Sequence, residues 1–141
     1  MPNVNPYLTF NGNCAEAFEF YKSVFGGEFA MLSHFSDVPQ EQAFPREEAK
    51  KVLHVSLPIG NGTVLMGSDR PSVTGLGIFG NNFSISINTD SEAQTQQLFD
   101  ALSAGGKVMM PPEKTFWGSY FGMLTDRFQI NWMLSYTYPK P

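Results

Sequence analysis

Few side chains in this chain can move a proton near neutral pH. There are two histidines, His34 and His54. His54 lies in "KVLHVSLPIG" (51–60), where strand alternation sends Leu53, Val55 and Leu57 to one face and His54 and Ser56 to the other. An imidazole on that face can work as a general acid or base, or stand as a hydrogen-bonded structural residue. His34 falls at a strand end beside a polar loop. The single cysteine, Cys14, sits among apolar helix positions with no histidine near it in sequence. It reads as a small buried hydrophobe rather than a nucleophile. Asp69 and Asp126 end strands, and Asp126 is placed to cap a turn. Trp117 and Tyr120 offer rings that either stack on a ligand or pack on the protein. A phosphate-binding loop, a dinucleotide fingerprint in context, a CxxC pair and a nucleophile elbow are all missing from the sequence.

The elements that position these residues repeat. "YLTF" (7–10) is β-prone, and a helix follows with Cys14, Ala17, Phe18, Tyr21 and Phe25 on one stripe. Asn13 is its expected cap, with Glu16 as reciprocal partner, and Gly26-Gly27 ends it. Strands are expected at 28–35, 51–60 and 62–69, the last two joined at Asn61-Gly62. The second half follows the same order. "FSISIN" (83–88) is a strand. A helix capped by Asp90 or Ser91, with Gln94 three residues after Ser91, runs to about Ala104 and carries Ala93, Leu98, Ala101 and Leu102. Gly105-Gly106 ends it, and strands are expected at 107–110, 119–125 and 130–136. The chain therefore reads as one α+β domain of two βαβββ modules, about 5–69 and 82–137, joined by a Gly/Pro-rich linker at 70–81. Segment 36–50 is a polar insertion, either a solvated loop or a lid.

A helix packed on a sheet needs apolar side chains beneath it. That assigns Leu8, Phe10, Phe83, Ile85 and Ile87 to helix-covered faces. The opposite faces then carry Asn5, Tyr7 and Thr9; His54 and Ser56; Asn82, Ser84 and Ser86; and Asn131, Met133 and Ser135. A sheet face open to water usually carries Lys, Glu and Arg. Small uncharged polar groups beside aromatics suit a partly enclosed cavity better.

Bulk composition removes several classes. The chain has 141 residues, with 13 Phe, 5 Tyr and 2 Trp, enough to bury one core. A net charge of −4 and no basic cluster beyond Lys50-Lys51 give no footprint for nucleic acid or an anionic membrane. No apolar run approaches the roughly 20 residues of a membrane span, and the N-terminus has no signal-peptide pattern. The expected compartment is a reducing cytoplasm.

Three stretches, "NPYLTFNGNCAEAFEFYKSVFGGE", "LHVSLPIGNGTVLMGSD" and "FWGSYFGMLTDRFQINWML", resemble the PhnB-like branch of the vicinal oxygen chelate superfamily. That superfamily contains glyoxalase I, fosfomycin-resistance proteins and extradiol dioxygenases. The resemblance covers nearly the whole chain. It implies two βαβββ modules forming a curled mixed sheet around a cavity, usually completed in a homodimer. The apolar tract "GLGIF" (75–79) also suggests a dimer, because a lone chain would struggle to cover it. Catalytic relatives hold a divalent ion with His or Glu from the start of each module's first strand and from each module's last strand. The matching places here are Asn5 or Pro6, Leu65 or Met66, Asn82 and Asn131. Neutral amides lack the charge or basicity that Zn²⁺, Ni²⁺ or Fe²⁺ draws on. Where the branch reads D-P-F-G, this chain reads "DRFQ" (126–129), so that turn must close differently.

The sequence thus points to a protein that binds a small organic molecule without a cofactor. Its pocket is expected to be lined by Tyr7, Met66, Asn82, Ser84, Trp117, Tyr120 and Asn131, with His54 as acid–base candidate. The alternative is a metal-dependent lyase or dioxygenase.

Overall fold

The computed structural model describes residues 2–39 and 44–140, which form two compact units, one reaching to Ile78 and the other starting at Phe79. The first unit contains β1 (Tyr7–Phe10), α1 (Cys14–Phe25), β2 (Met31–His34), β3 (Val52–Gly60) and β4 (Thr63–Asp69). The second contains β5 (Ile85–Asn88), α2 (Glu92–Ser103), β6 (Lys107–Lys114), β7 (Ser119–Thr125) and β8 (Asn131–Thr137). The first sheet runs β1-β4-β3-β2 and the second β5-β8-β7-β6. In each, the unit's first strand pairs parallel with its last, and the other pairs are antiparallel. The two halves therefore share one βαβββ plan, in an α+β fold of two open four-stranded sheets. No helix of the described residues is long and apolar enough to cross a membrane.

In the first unit, α1 buries Cys14, Ala17, Phe18 and Tyr21 over a sheet face of Leu8, Phe10, Val55, Leu57 and Leu65, all buried. Gly67 allows the close approach. A Cβ there would stand 2.6 Å from a Phe18 ring carbon and 2.8 Å from the Leu8 carbonyl oxygen. Gly122 has the same role beneath Phe99 of α2, where a Cβ would meet the ring at 2.9 Å.

Several local expectations are corrected. Asn13 stands at the helix start but its side chain makes no cap bond. The Asp69 carboxylate, arriving from the end of β4, instead accepts from Gly12 N and Cys14 N through Oδ1 and from Val52 N through Oδ2, at 2.9–3.0 Å. In β3 the apolar alternation slips. His34 pairs with Val52 and Ser33 with His54, so Leu53 is the extra residue of a bulge. Val52 is fully buried in its place, and Leu53 is 37% exposed. In α2 the buried stripe is Thr95, Phe99 and Leu102, while Ala93 is exposed and Leu98 and Ala101 are half-buried. Thr95 tolerates burial because its hydroxyl donates to Ser91 O and meets the Thr89 hydroxyl. The α2 cap is the expected one, with Ser91 Oγ accepting from Gln94 N at 3.0 Å.

β5 starts at Ile85, and Phe83 is 62% exposed rather than under α2. Residues 80–83 are held by a side chain instead of a ladder, as Asn131 Nδ2 donates to Gly80 O and Phe83 O. β6 runs past the expected 107–110 through Pro111-Pro112, which an edge strand with a register shift accommodates.

The insertion 36–50 is anchored at both ends, though residues 40–43 lie outside the described residues. Phe35 is buried and stacks on Phe44, with ring centroids 4.1 Å apart. Glu48, also buried, accepts from Lys51 Nζ at 2.7 Å and from Ser72 N at 2.6 Å. Lys51 Nζ donates further to Arg70 O and Ser72 Oγ. Arg70 donates to Thr74 O and Gly75 O, and Asn11 exchanges two hydrogen bonds with Gly77. The Gly/Pro-rich stretch up to Gly77 is thereby tied to the first unit.

The Lys51 and Ser72 hydrogen bonds hold the Glu48 carboxyl at about 2, below its ordinary 4.5. A depressed carboxylate stabilises the fold fully above the ordinary value, and that contribution is lost as pH falls through the folded one. The Ser72 amide should therefore titrate with a midpoint near 2 in an NMR pH series, and Glu48→Gln should abolish the transition. A midpoint near 4.5 would mean that the pair does not hold in solution.

Candidate functional site

Strand register sets which side chains share the face turned away from α1. Tyr7 pairs with Met66, Met66 with Ser56, and Ser56 with Met31, forming one row across the sheet. Thr9 pairs with Ser68 and Ser33 with His54, forming the next. Hydroxyls, thioethers, a phenol and an imidazole make up these rows, with no Asp, Glu, Lys or Arg. Tyr7 is 49% and Met31 53% exposed. The Tyr7 hydroxyl lies 3.2 Å from His54 Nδ1, and the two rings tilt by 31° at a centroid distance of 5.7 Å. Of the alternatives Leu65 and Met66, only Met66 belongs here, since Leu65 is fully buried on the α1 side.

The corresponding face of the second sheet carries the row Ser86, Met133, Met123 and Met110, then Asn88, Ser135, Phe121 and Glu113. Trp117, 55% exposed, meets Phe121 edge-on at 5.9 Å and so stands beside this face. Tyr120 does not. Its hydroxyl donates to Gln96 Oε1 of α2 at 2.8 Å, which places it on the helix side with Gly122 and Leu124. Its parity with Leu124 was the sequence signal for that side. Asn82 is exposed and Ser84 half-buried, both ahead of β5 and outside the ladder.

Asn131 opens β8, and its amide is largely committed. Both donor bonds go to Gly80 O and Phe83 O, and Oδ1 accepts from Thr125 Oγ1 at 2.8 Å. It lines an open hollow of about 390 Å³ together with Phe79, Gly80, Asn81, Thr125 and Gln129. The preceding turn closes on Asp126, as its strand-end position suggested. Oδ1 accepts from Phe128 N and Ile130 N, and Oδ2 from Trp132 Nε1 at 2.9 Å. Gln129 follows at φ +69°, a backbone conformation in which a side chain costs about 1 kcal/mol over glycine. That is how the turn closes without the family's glycine.

The superfamily's metal positions fit a transition ion poorly on donor chemistry. Asn5 Oδ1 already accepts from Val64 N at 2.9 Å, Asn131 is committed as above, and Met66 offers only a thioether. Among the described residues, no group of three or more His, Cys, Asp or Glu is arranged to hold an ion. Cys14 is buried, and burial together with the Asp69 charge pushes its thiol far above the usual range, so it is inert packing.

Comparison with known proteins matches residues 3–134 to the family described as Glyoxalase/Bleomycin resistance protein/Dioxygenase superfamily. Protein YjdN of Escherichia coli K12 is 27% identical, over 98% of this chain and 97% of its own. The crystal structure of protein PA1353 from Pseudomonas aeruginosa is 39% identical, with a TM-score of 0.85 over 97% of this chain and 98% of that one. A structure from Bacillus cereus, described as a putative 3-demethylubiquinone-9 3-methyltransferase, PhnB protein, shares the fold. It is 23% identical, with a TM-score of 0.76 over 96% of this chain and all of that one. The PhnB-like character read from the sequence therefore has a solved counterpart in fold.

Proposed function

The chain belongs to the glyoxalase/bleomycin resistance protein/dioxygenase superfamily, and from that premise we propose that it binds a small organic molecule on its sparsely charged open sheet faces without a transition metal. The observation that carries this reading is the face of the first sheet. Its hydrogen-bonding groups are neutral, its exposed body is thioether and phenol, and its one proton-moving group, His54, is held by Tyr7. Such a face recognises a molecule by shape and a few hydrogen bonds. His54 is the group proposed for any proton transfer. Trp117, standing by the second sheet's open face, is the ring proposed to cover a ligand there. Buried, unpaired Cys14 accords with a reducing cytoplasm. The alternative, a metal-dependent lyase or dioxygenase, would draw on the same fold.

The test is elemental analysis of purified protein after exhaustive dialysis, paired with a thermal-shift screen of small organic molecules on wild type and His54→Ala. The expected outcome is no stoichiometric Zn²⁺, Ni²⁺, Fe²⁺ or Mn²⁺, together with a ligand whose binding weakens about ten-fold or more in His54→Ala, as loss of a buried polar contact does. A stoichiometric ion that survives dialysis would establish the metalloenzyme alternative.

We further propose a homodimer. Val73, Leu76 and Ile78 are 89%, 79% and 97% exposed, a run of apolar side chains that a second copy would remove from water. Light scattering at tens of micromolar, above the roughly micromolar dissociation constant of a modest interface, should give twice the monomer mass. Leu76→Asp with Ile78→Asp should return it to the monomer. A wild-type monomer at that concentration would rule the dimer out.

A further inference from the structure

The Tyr7–His54 contact also bears on which ligand the face takes, an inference that rests on the reading of that face as a binding surface. A neutral imidazole has one N–H and one bare nitrogen. With the Tyr7 oxygen 3.2 Å from Nδ1, either the phenol donates to a bare Nδ1 or an Nδ1–H donates into the phenol oxygen. The phenol's oxygen is a weak acceptor because its lone pair is delocalised into the ring, and the same delocalisation makes its O–H a good donor. The bare imidazole nitrogen is a strong acceptor. The better-matched bond is phenol to Nδ1.

We propose that Tyr7 fixes neutral His54 as its Nε2–H tautomer, so that the face presents a ring N–H donor and selects ligands carrying a carbonyl or carboxylate oxygen. Tyr7 is then a positioning residue acting through His54. The surroundings agree. Met31 and Met66 offer polarisable thioethers that suit a flat, unsaturated body. Thr9, Ser33 and Ser68 add neutral hydroxyls along the His54 row. None of these residues supplies an anionic partner for a cationic ligand. Neutral His54 then acts as a hydrogen-bond donor that polarises a ligand oxygen through Nε2–H, with Nδ1 engaged behind it.

The experiment is a long-range ¹H–¹⁵N correlation spectrum of the full chain at a pH about 1.5 units above the ordinary histidine value. It is followed by titration with benzoate, benzyl alcohol and benzylamine. The expected spectrum shows His54 Nδ1 bare and Nε2 protonated, with a shift toward tautomer averaging in Tyr7→Phe. Benzoate should perturb the His54 ring signals and bind more tightly than benzylamine. Tyr7→Phe, with its melting temperature retained, should weaken benzoate about five-fold, the size of one net hydrogen bond. A protonated Nδ1 in the wild type overturns the proposal even if benzoate binds. Benzylamine binding as well as benzoate overturns the ligand class while leaving the face a binding surface. If none of the three probes moves His54, the reading of the face itself fails along with the selectivity.

Discussion

The first unit depends on a buried carboxylate. Asp69 ends β4, and its two oxygens accept from the backbone of three residues: Gly12, Cys14 and Val52. These belong to the turn after β1, the first residue of α1 and the start of β3. A carboxylate taken out of water is costly unless its oxygens find donors, and here each oxygen has at least one. The helix start would otherwise leave N–H groups without partners. One side chain thus sets where α1 begins, which end of the sheet it leaves from, and where β3 enters. With α1 so placed, Leu8, Phe10, Val55, Leu57 and Leu65 are committed to the covered face. Tyr7, His54, Ser56 and Met66 fall by alternation on the other. The open face follows from the covered one.

The second unit repeats the strand order but uses its buried carboxylate differently. Asp126 closes the β7–β8 turn and receives the Trp132 indole N–H, while α2 is capped locally by Ser91. The packing solution recurs even so: a glycine in the sheet, Gly67 or Gly122, under a phenylalanine of the helix, Phe18 or Phe99. Both sheets then offer a face of serines, methionines and few charges. The second face adds a Glu113 at its edge strand and the Trp117–Phe121 pair. On donor chemistry these faces fit a transition ion poorly.

Much of this was legible in the sequence because it is local. β1, α1, β7 and the Ser91 cap follow from periodicity, turn residues and capping rules within a few positions. The misreadings have non-local causes. The Leu53 bulge exists because of how β2 registers on β3, which neither strand's own pattern records. The α1 cap arrives from a residue 55 positions away in sequence, whereas the local pattern points to Asn13. Alternation points Phe83 inward, but Asn131 holds the chain ahead of β5 and the ladder starts two residues later. Thr95 entered the α2 core because its hydroxyl has partners that hydropathy does not count. At the site, the uncharged character of the open face could be read directly. The Tyr7–His54 bond, across 47 positions, could not.

The claim that Asp69 organises the first unit is tested most directly by equilibrium chemical denaturation of Asp69→Asn against wild type. The substitution keeps the shape but replaces one accepting oxygen with a donor facing N–H groups, inside a site that is 3% exposed. The expected result is a loss of about 3 kcal/mol or more, the scale for unpairing a buried charged hydrogen-bond group. A change within about 0.5 kcal/mol, the range of an ordinary surface substitution, would contradict the account.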